Sequence, residues 1–330
     1  MPTVSVVVPC LNEATSIGGL LQALADQDHP PDEVIIVDGG STDGTADAVA
    51  RFNTGPRLPV RLLSLPAASI PAQLNAGIRQ ARGDVIVRFD GHSAPDSTYI
   101  STALVTLEAP GAGVVGGAWS IEPGAPTNTA RAIALAVAHP LGAGDAAYRT
   151  ARYVGAPLDV DTVPFGCFRK TLWQQLGGFN EHLQVNEDYE FNYRVRRAGL
   201  RVVLNPRIRS RYLARATFGS LAWQYLRYGW WKGRMLRSNL GSLRWRQAVP
   251  AVFVLALAAT GVLTVAQPPA WPLFAAVAGP YAVAVVAAAA HVCARSRSWR
   301  QLPLVATAFL LVHVPWGTGV WGGVMAGRPR

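Results

Sequence analysis

Short apolar runs alternate with helically spaced stretches in the first part of the chain. Short apolar runs, each followed by Pro or Asp, predict four strands, at residues 4–8, 33–37, 60–65 and 85–89, of which the first is β-branched and expected to be buried. Apolar residues three or four positions apart predict helices between them, at residues 16–27, 42–52 and 70–82. Strands that alternate with helices over short connections predict an α/β domain with a mainly parallel sheet. Such sheets bind their ligands at the carboxyl ends of the strands.

Long apolar stretches replace this alternation toward the C-terminus. Three of them follow one another, at residues 248–266, 270–292 and 302–325. A helix that spans a bilayer needs about 20 apolar residues, so the pattern predicts about three transmembrane helices. The alternative is a set of buried helices in a soluble protein. The absence of any carboxylate from these runs, and their length, favour the membrane.

The charges divide the chain in a similar way. All 20 Asp and Glu residues lie at or before Glu190, together with 11 of the 30 Lys and Arg residues. The formal net charge of +10 therefore averages an acidic N-terminal part and a strongly basic C-terminal part. A chain that is 50% hydrophobic and 15% charged is not disordered.

The placement of arginines predicts the orientation in the membrane. The loop at 267–269 carries no charge, whereas the loop at 293–301 holds three arginines. The bulky N-terminal part is therefore expected in the cytoplasm, as part of a multi-pass protein of the inner or plasma membrane. Three full crossings would place Arg328 and Arg330 outside, whereas a re-entrant third segment would keep them inside.

Residues 218–247 interleave aromatic and basic side chains just before the first apolar run. Beside a membrane segment, this composition predicts amphipathic interfacial helices that contact membrane lipids. The same composition also occurs in proteins that bind single-stranded nucleic acid. The neighbouring apolar runs favour lipid, and no nucleic-acid partner is expected.

The fourth predicted strand ends in Asp90-Gly91-His92. Alternate side chains of an extended segment point the same way, so Asp90 and His92 could share a divalent cation that also holds a diphosphate. The alternative is an ordinary Asp-Gly turn after a strand. Asp38, which is followed by Gly39-Gly40, has the same alternative.

Three carboxylates crowd the start of a helix predicted at residues 186–198: Glu187, Asp188 and Glu190. Acidic residues stabilise a helix N-terminus through the helix dipole, and capping is one explanation. Crowded carboxylates can also raise one another's pKa and produce a base. Asp188 and Glu187 are the candidates for that base.

Several motifs stand in the order in which they occur in family 2 glycosyltransferases with the GT-A fold, and the chain resembles these enzymes. The motifs are Pro9-Cys10-Leu11-Asn12-Glu13, Val37-Asp38-Gly39-Gly40-Ser41-Thr42-Asp43-Gly44-Thr45, Asp90-Gly91-His92, Gly177-Gly178-Phe179-Asn180-Glu181 and Asn186-Glu187-Asp188-Tyr189-Glu190. In addition, Gln224-Tyr225-Leu226-Arg227-Tyr228 resembles the Gln-x-x-Arg-Trp motif of processive members, with Tyr for Trp. The chain is most similar to the membrane-bound glucosyltransferases of succinoglycan-type exopolysaccharide synthesis, which also have Asp-x-His.

The resemblance implies a GT-A domain over residues 1–215, interfacial helices over 216–247 and a membrane region over 248–330. It also implies a nucleotide-sugar pocket, a divalent-cation site, a catalytic pair, and a platform for the acceptor or the diphosphate. The implied residues are Pro9, Asn12, Glu13, Asp38, Gln73, Asn75 and Asp90 for the donor; Asp90 and His92 for Mg²⁺ or Mn²⁺; Asp188 as the base with Glu187 beside it; and Gln224, Arg227 and Tyr228 for the platform.

The chain departs from the family's usual pattern at two positions. The chain has Asp38-Gly39-Gly40 where Asp-Asp-Gly is common in the family. Gly39 replaces the second Asp, so one contact to the nucleotide base that the family makes is not expected here. His92 stands where an Asp is common, and this softer ligand favours Mn²⁺.

The reaction implied is an inverting transfer of a sugar, with glucose as the expected sugar and a UDP-sugar as the expected donor. The expected acceptor is a membrane-associated, lipid-linked saccharide of exopolysaccharide or cell-envelope glycan synthesis. The alternatives are a polyprenyl-phosphate glycosyltransferase, a processive polysaccharide synthase and, from a different class, a catalytically inactive membrane scaffold or transporter.

Overall fold

A computed structural model describes residues 2–52, 58–144, 146–150 and 155–326. The chain forms two compact units. Residues 1–120 and 151–212 form the first, here named the α/β unit, and residues 121–150 and 213–330 form the second, here named the helical unit.

The first half of the sheet is parallel and contains the four predicted strands. In chain order these are β1 (Val4–Cys10), β2 (Glu33–Asp38), β3 (Val60–Ser64) and β4 (Val85–Arg88). They lie side by side in the order β3-β2-β1-β4. The helices between them are α1 (Ile17–Ala25), α2 (Thr45–Phe52) and α3 (Ile70–Gln80). Every element lies within a few residues of its predicted position, because hydrophobic periodicity is a local property.

The second half of the sheet contains antiparallel pairs that the hydrophobic pattern did not resolve. Its strands are β5 (Ala94–Pro95), β6 (Ala112–Pro123), β7 (Leu158–Asp159), β8 (Cys167–Arg169) and β9 (Arg201–Ala214). The sheet continues from β4 through β8, β6 and β9 to β5, and β7 pairs with β9. In the described part of the chain this gives a nine-stranded, mixed sheet, mostly parallel in its first half.

Among the residues that the structure describes, six further helices precede residue 200. They are α4 (Tyr99–Leu107), α5 (Asn128–Val137), α6 (Pro140–Ala143), α7 (Ala147–Thr150), α8 (Lys170–Gln175) and α9 (Glu187–Arg197). Helix α9 confirms the helix predicted at 186–198. In the α/β unit, β1, β2 and β4 are buried on both faces, as expected for a parallel sheet covered by helices.

Four long helices form the remainder of the helical unit. They are α10 (Phe218–Ser238), α11 (Trp245–Ala266), α12 (Trp271–Arg295) and α13 (Leu302–Met325). Short 3₁₀ turns at Leu240–Ser242, Pro268–Ala270 and Trp299–Gln301 connect them. Within the described residues, three segments ending with α11, α12 and α13 are long and apolar enough to span a membrane. The proposed domain bounds at residues 215 and 247 stay a prediction.

Helices α10 and α13 run side by side and meet at four glycines. Gly229 and Gly233 of α10, and Gly319 and Gly323 of α13, stand four residues apart on each helix. A Cβ atom at any of them would collide with a backbone carbonyl oxygen of the other helix, at Trp316, Val320, Leu226 or Trp230. Small residues at this spacing let two helix backbones approach closely.

The segment between β6 and β7 also contributes to the helical unit, which the sequence pattern did not predict. The ring of His139, just before α6, packs edge-to-face against Phe309 of α13. The Leu141 carbonyl oxygen lies 2.8 Å from Nε2 of His313 on α13, and the other ring nitrogen lies 3.0 Å from the Tyr281 hydroxyl on α12. His313 therefore connects three elements of the helical unit.

Candidate active site

Most of the residues predicted to bind a donor lie at the carboxyl ends of β1, β2 and β4. Cys10, the last residue of β1, is in register with Asp38, the last residue of β2. Pro9 precedes Cys10 within β1, opposite Val37, and is buried. This edge is where parallel α/β sheets bind their ligands.

Hydrogen bonds join the turn after β1 to the loop after β2. Asn12 adopts the left-handed conformation (φ 57°), which a short polar side chain tolerates. Its backbone N–H donates to Ser41 Oγ (2.8 Å), and its Oδ1 accepts from the Thr42 N–H (2.9 Å). The Glu13 N–H donates to Thr45 Oγ1 (2.8 Å). Asn12 and Glu13 thus hold the turn after β1 against the loop after β2, and their contact with a nucleotide stays a prediction.

Asp38 and Gln73 are buried and hydrogen-bonded at the same edge. Asp38 Oδ1 accepts from the backbone N–H (3.0 Å) and the hydroxyl (2.6 Å) of Ser41. Gln73 Oε1 accepts from the Cys10 N–H (3.1 Å), and its Nε2 donates to the Ala68 carbonyl oxygen (2.8 Å). Gln73 therefore holds the end of β1 in place, and its predicted part in donor binding stays a prediction.

Gly39 lies against the amide of Gln73. A Cβ atom at this position would lie only 2.5 Å from Nε2 of Gln73. The end of the Gln73 side chain would therefore have to shift to admit an Asp side chain at this position. Gly40 follows with a φ of 97°, a conformation that favours glycine.

Asp90 and His92 follow β4 at this edge, and Glu13 lies against His92. The side chain of Asp90 is 34% exposed, and that of His92 is 60% exposed. His92 Nδ1 lies 2.8 Å from Glu13 Oε1. A carboxylate hydrogen-bonded to one ring nitrogen orients the imidazole, as it does in metal-ligating histidines.

The available donor atoms fit a divalent cation that is held jointly with a diphosphate. Among the described residues, no three His, Cys, Asp or Glu side chains are grouped so that they could hold a metal ion. Asp90 and His92 would therefore supply two ligands, and phosphate oxygens and water would supply the others. A carboxylate oxygen with an imidazole nitrogen suits Mn²⁺ at least as well as Mg²⁺. Both ligand assignments stay predictions.

A buried arginine that sequence reasoning missed connects this edge to helix α9. Arg88, the last residue of β4, donates to Asp90 Oδ1 (2.6 Å) and to Glu187 Oε1 (2.8 Å). Burial opposes the charge of Arg88, but Asp90, Glu187 and Asp188 outweigh it and raise the pKa of the guanidinium. One feature of the sequence could have identified Arg88: it is a charged residue inside an apolar strand, two positions before Asp90.

The two candidate bases begin helix α9. The preceding Asn186 is in the left-handed conformation (φ 67°). Glu187 is buried, and Asp188 is half-buried with its Oδ1 accepting from the Tyr189 N–H (2.6 Å). Burial raises the pKa of both carboxyls, and the positive charge of Arg88 opposes this rise. A carboxylate with a raised pKa suits proton transfer at neutral pH.

Asn75 joins α3 to the loop that precedes α9. Its Oδ1 accepts from the Phe179 N–H (2.8 Å) and from Trp173 Nε1 (3.2 Å). Its Nδ2 donates to the Phe179 carbonyl oxygen (2.9 Å) and to Glu181 Oε1 (2.8 Å). The amide thus makes four hydrogen bonds within the protein, which indicates a structural function. Its predicted part in donor binding stays a prediction.

The three residues predicted to form the platform lie on α10 in the helical unit. Gln224 is buried, and its Nε2 donates to the Tyr228 hydroxyl (2.9 Å). Arg227, on the next turn, is exposed. Arg149 of α7 is buried beside them and donates to the Tyr225 hydroxyl (3.3 Å). The structure thus adds Arg149 to the polar cluster around Gln224 and Tyr228.

Comparison with characterised proteins identifies related chains of similar length. The chain is 30% identical to the succinoglycan biosynthesis protein ExoA of Rhizobium meliloti, over 98% of this chain and 96% of that protein. It is 25% identical to a dolichyl N-acetyl-α-D-glucosaminyl phosphate 3-β-D-2,3-diacetamido-2,3-dideoxy-β-D-glucuronosyltransferase of Methanococcus voltae, over 80% of this chain and 83% of that enzyme.

A solved structure of another protein has a similar fold. Mannosyltransferase PcManGT from Pyrobaculum calidifontis, solved in complex with GDP-Man and Mn²⁺, matches 93% of this chain and 86% of its own with a TM-score of 0.58 and 23% identity. This likeness confirms the GT-A fold. The sequence model of the family described as glycosyl transferase family 2 matches residues 5–172, which is half of the chain. Together with the relation to ExoA, this shows that the protein is a glycosyltransferase and belongs to glycosyl transferase family 2.

Proposed function

We propose that the protein transfers glucose from a UDP-sugar to a membrane-associated, lipid-linked saccharide, with inversion at the anomeric carbon. The observation that carries the proposal is the link from Asp90 through Arg88 to the start of α9. This link joins the candidate cation site to Glu187, which directly precedes Asp188, the carboxylate that we assign as the proton acceptor. The similarity to the succinoglycan protein over almost the whole chain supports an acceptor of glycan synthesis.

The proposed lipid-linked acceptor has two supports. Three helices of the helical unit are long and apolar enough to span a membrane. The Methanococcus relative is named for a dolichyl-phosphate-linked sugar as its acceptor. We assign the α/β unit to the cytoplasm on the basis of the arginine-rich loop at 293–301. We further assign Gln224, Arg227 and Tyr228 to the binding of the acceptor or of the diphosphate.

The chemistry follows from a single base. Asp188 accepts the proton of an acceptor hydroxyl while that oxygen attacks the anomeric carbon of the donor. The new carbon–oxygen bond forms as the bond to the diphosphate breaks, and the diphosphate leaves. A donor with an α linkage therefore gives a β-glycoside. When bound at Asp90 and His92, a divalent cation supplies charge compensation for the leaving group.

The test uses the full-length protein in detergent with a panel of UDP- and GDP-sugars, Mn²⁺ or Mg²⁺, and lipid-linked saccharide acceptors. The matched variants are Asp188→Asn and Asp159→Asn, since Asp159 forms an exposed ion pair with Arg201 on the surface. We expect D188N to lower the transfer rate by about 100- to 10,000-fold while the donor still binds, because a general base contributes about that much. D159N should transfer at the rate of the unaltered protein.

Product analysis separates the rival functions. A sugar–sugar bond supports the proposal, whereas a sugar–phosphate bond identifies a polyprenyl-phosphate glycosyltransferase. Long-chain polymer would indicate a processive synthase. An unaltered protein that neither binds nor hydrolyses any nucleotide sugar would be the inactive scaffold, and full transfer by D188N would exclude Asp188 as the base.

A further inference from the structure

Arg88 is a buried cation between two catalytic motifs that lie far apart in sequence. Its side chain is 6% exposed, one guanidinium nitrogen lies 2.6 Å from Asp90 Oδ1, and the other lies 2.8 Å from Glu187 Oε1. The carboxylate of Glu187 is itself only 9% exposed. Little water therefore reaches the guanidinium, so water does not readily replace Asp90 and Glu187 as its hydrogen-bond partners.

The arrangement requires the shape of arginine as well as its charge. A guanidinium presents its N–H groups in a rigid planar fork, so two nitrogens can bind two separate carboxylates at once. A lysine ammonium at the same position is a point charge on a flexible chain and could hold one of them well. The Arg88 N–H donates to the Gly166 carbonyl oxygen (3.2 Å), which fixes the backbone from which this side chain extends.

The two bonds give the neighbouring carboxylates different tasks. Glu187 Oε1 is bound to Arg88 and the Glu187 side chain is only 9% exposed, so an acceptor hydroxyl has little access to this carboxylate. Asp188 comes next on the first turn of α9 and can accept that proton. Asp90 is bound through Oδ1, which leaves Oδ2 to ligate a cation.

We propose that Arg88 is a positioning residue for glycosyl transfer, which withholds Glu187 from the reaction and orients Asp90, so that Asp188 is the sole base. This inference rests on the proposed function and deepens it. It assigns Arg88 no contact with the substrate. It predicts that a change at Arg88 impairs the transfer step more than the binding of the donor.

The first test is Arg88→Lys in the full-length protein, with affinity for Mn²⁺–UDP measured by calorimetry and transfer measured at saturating donor. We expect kcat to fall by about 100-fold, because misplacement of reacting groups by about 1 Å has that effect. The affinity for Mn²⁺–UDP should fall by about tenfold, which is less than the fall in kcat, because Asp90 loses the partner that orients it while the other ligands of the cation are retained. The control is Arg169→Met, which removes the exposed ion pair with Glu108 and should leave both quantities unchanged.

The second test separates positioning from stabilisation. Arg88→Met with Glu187→Met replaces the buried pair by apolar side chains, a change that is often neutral for stability. We expect the double variant to keep the thermal midpoint of the unaltered protein and still to lose about 30-fold or more in kcat, because Asp90 has lost its anchor.

Several results would overturn the inference. One is an unchanged kcat in R88K, and another is a kcat within threefold of the unaltered protein in the double variant. A parallel fall of kcat, Mn²⁺–UDP affinity and thermal midpoint in R88K would assign Arg88 a purely structural role. If the unaltered protein itself neither binds Mn²⁺–UDP nor transfers any sugar, the proposed function fails instead, so the two failures are distinguishable.

Discussion

The two units stabilise their buried polar side chains in different ways. In the α/β unit, buried charges face opposite charges, as in the ion pairs Arg88–Glu187 and Arg194–Glu190. In the helical unit, Lys232 is buried and donates to the carbonyl oxygen (2.9 Å) and the hydroxyl of Ser242. The chain has no acidic residue after Glu190, and the two Ser242 oxygens that the buried cation of α10 contacts are uncharged.

This difference extends to how the elements approach one another. The strands of the α/β unit are separated by the fixed spacing of a hydrogen-bonded sheet. Helices α10 and α13 instead touch backbone to backbone at Gly229, Gly233, Gly319 and Gly323. We therefore expect the α/β unit to be sensitive to the loss of specific polar partners, and the helical unit to be sensitive to added volume.

The largest expected effect is steric and concerns the helical unit. Gly323→Leu places a side chain against the Trp230 carbonyl oxygen. We expect it to lower the free energy of unfolding of this unit by about 3 kcal/mol or more, because overpacking forces the backbones apart. Tryptophan fluorescence during thermal unfolding in detergent measures the effect.

The matched control is Gly279→Leu on α12, where no atom lies within 4 Å of the position that a Cβ atom would take. This variant should unfold at the temperature of the unaltered protein. If the two glycine variants unfold alike, close approach of α10 and α13 does not determine the stability of the helical unit.

The second effect tests polar partners in the α/β unit. Asn75→Ala removes an amide that makes four hydrogen bonds to Phe179, Trp173 and Glu181. We expect a loss of about 3 kcal/mol in the free energy of unfolding, since buried partners are left unsatisfied. Urea denaturation followed by circular dichroism measures it. Gln22→Ala, which removes an exposed bond to Asp26, should cost less than about 0.5 kcal/mol, and equal losses in the two variants would contradict the prediction.

The smallest effect concerns the reactivity of two thiols in the α/β unit. Burial raises the pKa of Cys10 to about 12, assisted by the negative charges of Asp38, Glu13 and Asp43, and burial raises the pKa of Cys167 to about 12. A raised thiol pKa favours the protonated form at every pH below it, so at pH 8 about one molecule in ten thousand carries the thiolate.

We therefore expect neither thiol to react with Ellman's reagent in the native protein, and both to react in urea. Ser97→Cys provides an exposed thiol on the same unit and should react at once. Rapid modification of Cys10 in the native protein would show that the end of β1 opens to solvent. That result would weaken the contrast between a closed α/β interior and a glycine-packed helical unit.

Much of the architecture could be predicted because its signals are local. A strand in a parallel sheet that helices cover on both sides is buried on both faces, so nearly all of its side chains are apolar. The β-branched run Val4–Cys10 has this composition and could therefore be recognised as a strand. The apolar stretch at 302–325 coincides with helix α13 for a similar reason, since its length and composition are properties of the segment alone.

The functions of single side chains were harder to predict. Arg88 looked like an isolated charge in an apolar strand, because its partner Glu187 lies 99 positions away in the chain. The donor contact of Asn75 stays a prediction, and the hydrogen bond of its amide to Phe179 could not be predicted because the two residues lie 104 positions apart in the chain. The helices α5 and α6 carried no sign that they would pack against α13, since their apolar faces fit a soluble domain equally well.

By itself, the sequence determined the strand–helix alternation, the three apolar helices, the separation of charge, and the placement of Asp38 and Asp90 at strand ends. Each follows from periodicity, composition or chain order, which act over a few neighbouring residues. Only the tertiary structure decided that Arg88 joins Asp90 to Glu187 and that four glycines bring α10 against α13. The reason is physical: the energy of an ion pair or a helix contact depends on distances between atoms that folding alone brings together.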